Sequence, residues 1–277
     1  MSATPEAILE LIGTAAERIE TPCGAGRMAW HCWGSGPALV LLHGGSGSWR
    51  HWVRNIDFFA QDRRVIAPDL PGFGESDMPS RPEDPYDTAE ILARGLDTVL
   101  AGGDAYDLAG FSYGGVIAGC LAAQDRERVR SVTIVGSGGL GLARGTTPLA
   151  KVRHLAGAER EAAHKTNLAS LMIADPAHID ALALLIQDCN TRHARLKSPL
   201  VSRGTYLRDA LAVVRCQVNG IWGSLDAPSL PDIGAREAAM RALQPGLRFR
   251  VIPGAGHWVA YEAAEAFNRT LSGLLEG

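Results

Sequence analysis

Six short apolar runs punctuate the chain, at residues 37–42, 64–68, 105–109, 129–135, 218–222 and 247–252. Most are rich in Val, Ile or Leu and end near Gly, Asp or Pro. Continuous hydrophobicity over so few positions suits strands covered on both faces. Between the runs, apolar residues recur every three or four positions in 49–60, 88–100, 114–124, 233–243 and 259–275, which predicts helices with one buried side. Strand alternating with helix predicts an α/β fold: a mostly parallel central sheet with helices on both faces. Ligands on such sheets gather beyond the carboxyl ends of the strands, so the loops there hold the candidate chemistry.

The alternation stops between 139 and 213, where the chain turns rich in Ala, Leu, Arg and His, with helical spacing in 168–173 and 178–187. This predicts an inserted helical cap over 139–212, with a core domain made of 1–138 and 213–277. There is no internal repeat and no low-complexity tract. A chain of 277 residues with 46% hydrophobic and 21% charged residues is large enough for one such domain with its cap.

Charge and cysteine content narrow the partners. A net charge of −3 supplies no field for nucleic acid or an anionic membrane, which leaves a small-molecule substrate as the expected partner, with self-association into a homo-oligomer left open. Five cysteines, far apart and without a C-x-x-C pair, suggest neither a disulfide framework nor a zinc ribbon. The first twenty residues lack a basic start, a long apolar segment and a small-residue cleavage site, and no apolar run reaches the roughly eighteen residues a bilayer span requires. A cytoplasmic enzyme fits these features.

The chemistry starts at Gly110-Phe111-Ser112-Tyr113-Gly114, between an apolar run and a helical one. A serine at such a junction can sit on a strained strand-to-helix turn that lifts its hydroxyl out of the backbone. Serine is a poor nucleophile until a base takes its proton, and histidine acts as that base best when a carboxylate fixes its tautomer. The loop after 218–222 contains Asp226, and the loop after 247–252 contains His257. The order Ser112, Asp226, His257 is the order this architecture requires. For the oxyanion the expected donors are the amide of Tyr113, after the nucleophile, and that of Gly45 in the early loop His43-Gly44-Gly45-Ser46-Gly47.

Other patterns carry less. Asp69 and Asp77 flank Pro71, Gly72 and Gly74, which predicts a rigid loop whose acids hold its own backbone. Gly136-Ser137-Gly138-Gly139-Leu140-Gly141 spells a dinucleotide fingerprint, yet no strand follows to complete the unit, so it reads as a hinge into the cap. The remaining histidines lack metal-ligand spacing. No metal and no cofactor are expected.

Taken together, His43-Gly44, Asp69-Leu70-Pro71-Gly72-Phe73-Gly74, the Ser112 segment with Gly115, Trp222-Gly223 with Asp226, and Gly256-His257 resemble the α/β-hydrolase superfamily over nearly the whole chain. Within it the chain is similar to the meta-cleavage product hydrolases, on the doubled Gly114-Gly115, the glycines at 136–141, and Gly256-His257-Trp258 followed by Glu262 and Phe267-Asn268. That resemblance implies hydrolysis of a carbon-carbon bond in a vinylogous 1,5-diketone acid from aromatic ring opening. It implies substrate contacts at Gly44, Phe111 and Trp258, and a cap arginine on the substrate carboxylate: Arg192, with Arg195 and Arg203 next. Two positions depart from the family: Phe111 stands where Asn is usual, and the early loop lacks a proline after its glycines. A carboxylesterase or enol-lactonase, and a non-catalytic binding protein on the same scaffold, remain alternatives.

Overall fold

The computed structural model describes residues 3–100, 103–145, 147–197 and 199–276, and one eight-stranded sheet runs through it. In chain order the elements are α1 (Pro5–Thr14), β1 (Glu17–Cys23), β2 (Gly26–Trp33), β3 (Ala38–Leu42), α2 (Ile56–Phe59), β4 (Arg64–Pro68), α3 (Pro85–Val99), β5 (Tyr106–Phe111), α4 (Tyr113–Gln124) and β6 (Val129–Val135). Then come α5 (Gly157–Asn167), α6 (Ala181–Arg192), α7 (Pro199–Arg203), α8 (Tyr206–Leu211), β7 (Gln217–Gly223), α9 (Gly234–Leu243), β8 (Arg248–Ile252), α10 (Val259–Glu262) and α11 (Ala264–Leu275). The sheet order is β1-β2-β4-β3-β5-β6-β7-β8. Strands β3 to β8 are parallel, and they are the six apolar runs.

The antiparallel hairpin β1–β2 at the sheet edge was not expected from the hydrophobic pattern. Its outer strand carries Glu17, Arg18 and Glu20 and is largely exposed, as an edge strand should be to resist pairing with other chains. Its inner strand is buried but built from Trp30, His31, Cys32 and Trp33, which do not spell an aliphatic run. Trp30 Nε1 donates to Thr21 Oγ1 at 2.8 Å, tying the two strands together.

Two expected helices are broken. The segment 49–60 forms a 3₁₀ turn, Trp49–Trp52, before α2, and between them buried Asn55 donates to Ala260 O at 3.0 Å and to Asn268 Oδ1 at 2.7 Å. The segment 259–275 breaks at Ala263 into α10 and α11, while the buried Glu262 carboxylate accepts from the amides of Gly256 and Asp175, both at 2.7 Å, and of Ala174 at 3.1 Å. In both cases a buried polar side chain takes its hydrogen bonds from distant backbone, a demand that sequence periodicity does not register.

Alternate residues of β3 serve different cores. Val40 and Leu42 pack with α3, α4 and α8, whereas Leu39 and Leu41 pack with Trp52, Ile56, Phe267 and the insertion's Leu168, Ala183 and Ile186. The insertion between β6 and β7 therefore divides. Residues of α5, the π-type turn Leu168–Met172 and α6 roof the sheet's carboxyl edge, while α7 and α8 return to pack on α4. The glycine run 136–141 is bonded into this return: Gly139 N donates to Ser202 O at 2.8 Å and accepts at its carbonyl from Arg208 N at 3.0 Å. It is a fastened crossing where a free hinge was expected. All five cysteines are free, and among the described residues no helix is long and apolar enough to cross a membrane.

Leu41 is fully buried between strand and helices, so Leu41→Ala should cost about 2–5 kcal/mol of unfolding free energy. Urea denaturation of the two proteins measures this; a midpoint within error of the parent would contradict the packing described.

Candidate active site

Strand β5 ends at Phe111 and α4 begins at Tyr113, leaving Ser112 as the single residue of the turn. Its backbone is held at φ 52°, ψ −113°, a region that side-chain-bearing residues avoid at a cost of roughly 1–3 kcal/mol. Four hydrogen-bonding partners hold it there. Ser112 N donates to Val135 O at 2.8 Å, while its carbonyl accepts from Gly115 N at 3.0 Å and from Ser137 Oγ at 2.6 Å. The fourth contact is the hydroxyl, 3.0 Å from His257 Nε2. The turn is tight on both sides: a Cβ on Gly110 would lie 2.2 Å from Gly114 O, and one on Gly114 would lie 2.4 Å from the carbonyls of Leu42 and His43.

His257 is almost fully buried, and its Nδ1 lies 2.9 Å from Asp226 Oδ2, on a carboxylate with no solvent exposure. A carboxylate there can only accept, so Nδ1 carries the ring proton and Nε2 faces the serine with a lone pair. Asp226 is fixed in turn by the Ser229 amide at 3.1 Å on its other oxygen. Gly136, at φ 52°, makes room for the pair: a Cβ there would come within 2.8 Å of Asp226 Oδ2 and 3.3 Å of His257 Nδ1. Three loops distant in sequence thus meet in one hydrogen-bonded row.

The early loop is organised by two histidines. His43 Nδ1 donates to Gly44 O at 2.7 Å and its Nε2 accepts from Leu70 N at 2.8 Å, which joins the loops after β3 and β4. His51 Nδ1 accepts the Gly44 amide at 3.2 Å. Burial drives the proton affinity of His51 well below its ordinary value, helped by the nearby rings of His43 and His257, so it stays neutral and able to accept. The Gly44 amide is thereby occupied and the residue sits under the Phe111 ring, away from the cavity. Gly45 and Ser46 lie on the cavity floor, and Ser46 shares with Ser112, alone among the described non-glycine residues, a positive φ, here 50°. Tyr113 is the first residue of α4, where a helix leaves its amides without internal acceptors.

A cavity of about 1120 Å³ opens over this row. Ser112, His257, Phe111, Gly45 and Ser46 form its floor, and cap residues including Leu171, Met172, Gln187 and Thr191 form its roof. Its wall carries Arg144, Arg153, Lys197 and Arg203, and no carboxylate among the described lining residues.

Three expected substrate contacts lie elsewhere. Trp258 is fully buried, donates its indole N–H to His51 O at 2.9 Å and stacks on Tyr261, so it packs the early loop. Gly44 is pinned as described. Arg192 projects from the far side of α6, donates to Asp188 Oδ2 at 2.7 Å and lines a separate surface groove with Arg160 and His164. Arg195 is spent on the carbonyls of Gly74 and Ser76, whereas Arg203 does reach the cavity. Sequence reasoning missed Arg144, Arg153 and Lys197. For Arg144 a signal existed, since it follows directly on the glycine run leaving the sheet's carboxyl edge.

Asp69 and Asp77 hold backbone. Asp69 accepts from the amides of Trp49 and Glu75, both at 2.9 Å, and Asp77 from that of Arg27 at 2.8 Å. Among the described residues no cluster of His, Cys, Asp and Glu is arranged to hold a metal ion.

The alpha/beta hydrolase family model matches residues 39–270, and the chain belongs to that family. Among curated proteins it is 30% identical over 260 residues to a 2-hydroxy-6-oxo-6-phenylhexa-2,4-dienoate hydrolase of Burkholderia cepacia, covering 88% of this chain and 90% of that one. It is also 33% identical over 258 residues, 87% of its length, to the dihydrolipoyllysine-residue acetyltransferase component of an acetoin cleaving system of Pseudomonas putida, of which it spans only 64%. Among solved structures, a carboxylesterase of Bacillus subtilis superposes with a TM-score of 0.76 at 20% identity, covering 99% of this chain and 96% of that one.

Two outcomes follow from this geometry. Gly136→Ala would force both a strained φ and a clash with Asp226, so kcat should fall roughly 100-fold while the circular dichroism spectrum is retained; unchanged kcat would show that the row tolerates displacement. His31, His43 and His51 are all buried with proton affinity lowered chiefly by burial. The unfolded chain therefore takes up protons that the folded one refuses, and stability is full above pH about 6.5 and falls below it, by at most about 1.4 kcal/mol per pH unit for each ring. The urea midpoint should drop between pH 7.5 and 5.5; a flat profile would mean that these rings charge in place.

Proposed function

We propose that the chain is a serine hydrolase that cleaves a carbon-carbon bond in a 2-hydroxy-6-oxo-dienoate from aromatic ring opening. The observation that carries this reading is the row Ser112, His257, Asp226, spaced 3.0 and 2.9 Å, opening onto a cavity whose wall is cationic and, among the described residues, free of carboxylates. The relatedness to a dienoate hydrolase over most of both chains supports the substrate class. A dienoate needs a partner for its carboxylate, and the cavity cations supply one where Arg192 does not.

In the proposed mechanism the substrate first moves its enol proton to the carbon beside the distal carbonyl, giving the keto form. Ser112 Oγ then attacks that carbonyl and passes its proton to His257, whose positive ring Asp226 stabilises. The amides of Gly45 and Tyr113 receive the new oxyanion, each contributing roughly 2.7–4 kcal/mol. The carbon-carbon bond breaks, its electron pair leaves with the enol fragment, and His257 returns the proton to that fragment. Water, deprotonated by His257, then attacks the acyl-serine and frees the second acid. No step calls for a metal or an organic cofactor.

One observation favours a second reading, simple ester or enol-lactone hydrolysis. Phe111 presents an apolar ring 4.9 Å from the His257 imidazole, where the dienoate hydrolases that the chain resembles carry a polar amide. An ester needs no preliminary proton shift and so no such contact.

Comparing kcat/KM for a ring-cleavage dienoate, a short p-nitrophenyl ester and an enol-lactone ranks these chemistries. The dienoate should lead; an ester leading by tenfold or more would replace the first reading with the second. Ser112→Ala should lose turnover on the order of 10⁶-fold on whichever substrate leads, with fluorophosphonate labelling abolished. Parent-like turnover in Ser112→Ala would remove Ser112 as the nucleophile, and steady ligand binding without product in the parent would remove the hydrolase reading.

A further inference from the structure

We propose that Asn190, on the cap helix α6, is a positioning residue for catalysis: through Ser48 it sets the early-loop stretch 45–47 so that the Gly45 amide meets the oxyanion formed at Ser112. The inference rests on the hydrolase reading above and deepens it by naming the cap side chain on which the second oxyanion donor depends.

The stretch is not held from within. Among the described residues, no hydrogen bond is made by the amides or carbonyls of Gly45, Ser46 or Gly47. A Gly45 amide without an internal acceptor is what an oxyanion donor requires, but it leaves the place of that amide to the residues on either side. Ser46 adds to the demand, since a residue with a side chain keeps φ at 50° only where its surroundings hold it. On the N-terminal side the core supplies the hold, His51 accepting the Gly44 amide at 3.2 Å. On the other side stands Ser48, fully buried, whose carbonyl closes the next turn on His51 N at 3.0 Å. Its hydroxyl donates to Asn190 Oδ1 at 2.6 Å, the one hydrogen bond between residues 43–48 and the cap among the described residues.

Asn190 is itself buried, and its Nδ2 has no hydrogen-bond partner among the described residues. A leucine would fill the same place without burying an unpaired donor, so the filling of space does not account for the amide. What it supplies is an acceptor for Ser48. The helix that carries it is seated on the core at its other end: its N-cap, Asp180, accepts from Arg54 Nη2 and from Tyr261 Oη, both at 2.5 Å. Gln187 and Thr191 of the same helix line the cavity roof. The helix that lies over the substrate therefore also sets the oxyanion donor. Were it displaced, Ser112, His257 and Asp226 would keep their row while the oxyanion lost its second amide.

The test separates oxyanion binding from cavity filling with benzyl trifluoromethyl ketone and the alcohol obtained by reducing it. Ser112 Oγ adds to the ketone carbon, its proton passes to His257 and the ketone oxygen becomes the oxyanion; the alcohol has no carbonyl and only occupies the cavity. In Asn190→Leu and in Ser48→Ala the ketone should bind roughly 10- to 100-fold more weakly, and kcat/KM for p-nitrophenyl butyrate should fall by a similar factor, with alcohol binding within about twofold of the parent's. In the double variant Ser48→Ala/Asn190→Leu the loss should be no larger than in the worse single variant, because both act through one bond. Ketone binding equal to the parent's in both single variants, ketone and alcohol weakened alike, or single losses that multiply in the double variant would each overturn the inference. Should Asn190→Leu fail to fold by circular dichroism, Asn190→Ala takes its place in the cycle with the same outcomes. A parent that binds the ketone no more tightly than the alcohol would remove the hydrolase reading and this inference with it, which keeps the two failures distinct.

Discussion

The strained backbone of Ser112 is the constraint around which the carboxyl edge of the sheet is built. A residue with a side chain sits at φ 52° only if its surroundings hold it there, and here β6, the first turn of α4 and Ser137 all do so through its amide and carbonyl. The same turn aims the hydroxyl at His257 and starts α4 with unpaired amides one residue later. Glycines are needed on both sides because the strand, the helix and the early loop approach more closely than a Cβ allows. A strain of a few kcal/mol is tolerated because it lies between two cores of fully buried aliphatic and aromatic side chains.

Around that turn the loops are locked to one another by buried polar groups that satisfy backbone. His43 joins the loops after β3 and β4, His51 takes the Gly44 amide, and Asp69 reaches both Trp49 and Glu75. Glu262 gathers three amides from the last loop and from the insertion. Each is a residue type that also serves as a catalyst elsewhere. Here they are scaffolding, and their role follows from burial and from hydrogen-bond partners in the main chain. The histidine that differs is His257, whose two nitrogens face side chains.

The insertion gives the site its character. Its first helices roof the cavity with both apolar and polar side chains, and its last ones rejoin the core on α4, while the connecting stretches line the cavity wall. Those stretches bear the arginines and the lysine. An uncharged pocket over the same floor would suit a neutral ester, whereas a cationic one suits an acid.

The amino-acid sequence by itself determined the parallel core and the candidate residues on it. A strand buried on both faces must be apolar throughout, and a turn such as that at Ser112 must have glycine around it, so both leave local marks. Ser112, Asp226 and His257 were legible because each ends such a strand and their order suits one architecture. Only the tertiary structure decided the rest. The hairpin β1–β2 was hidden because one strand is a charged edge and the other is buried with aromatic and polar residues. Gly44, Arg192 and Trp258 were expected at the substrate, yet one amide is held by His51, one guanidinium turns to Asp188 and one indole fills the space behind the early loop. Arg144, Arg153, Lys197 and Arg203 share a cavity because segments distant in sequence meet over the nucleophile. Which way a long side chain points depends on partners brought up by folding, and no local pattern in the chain records them.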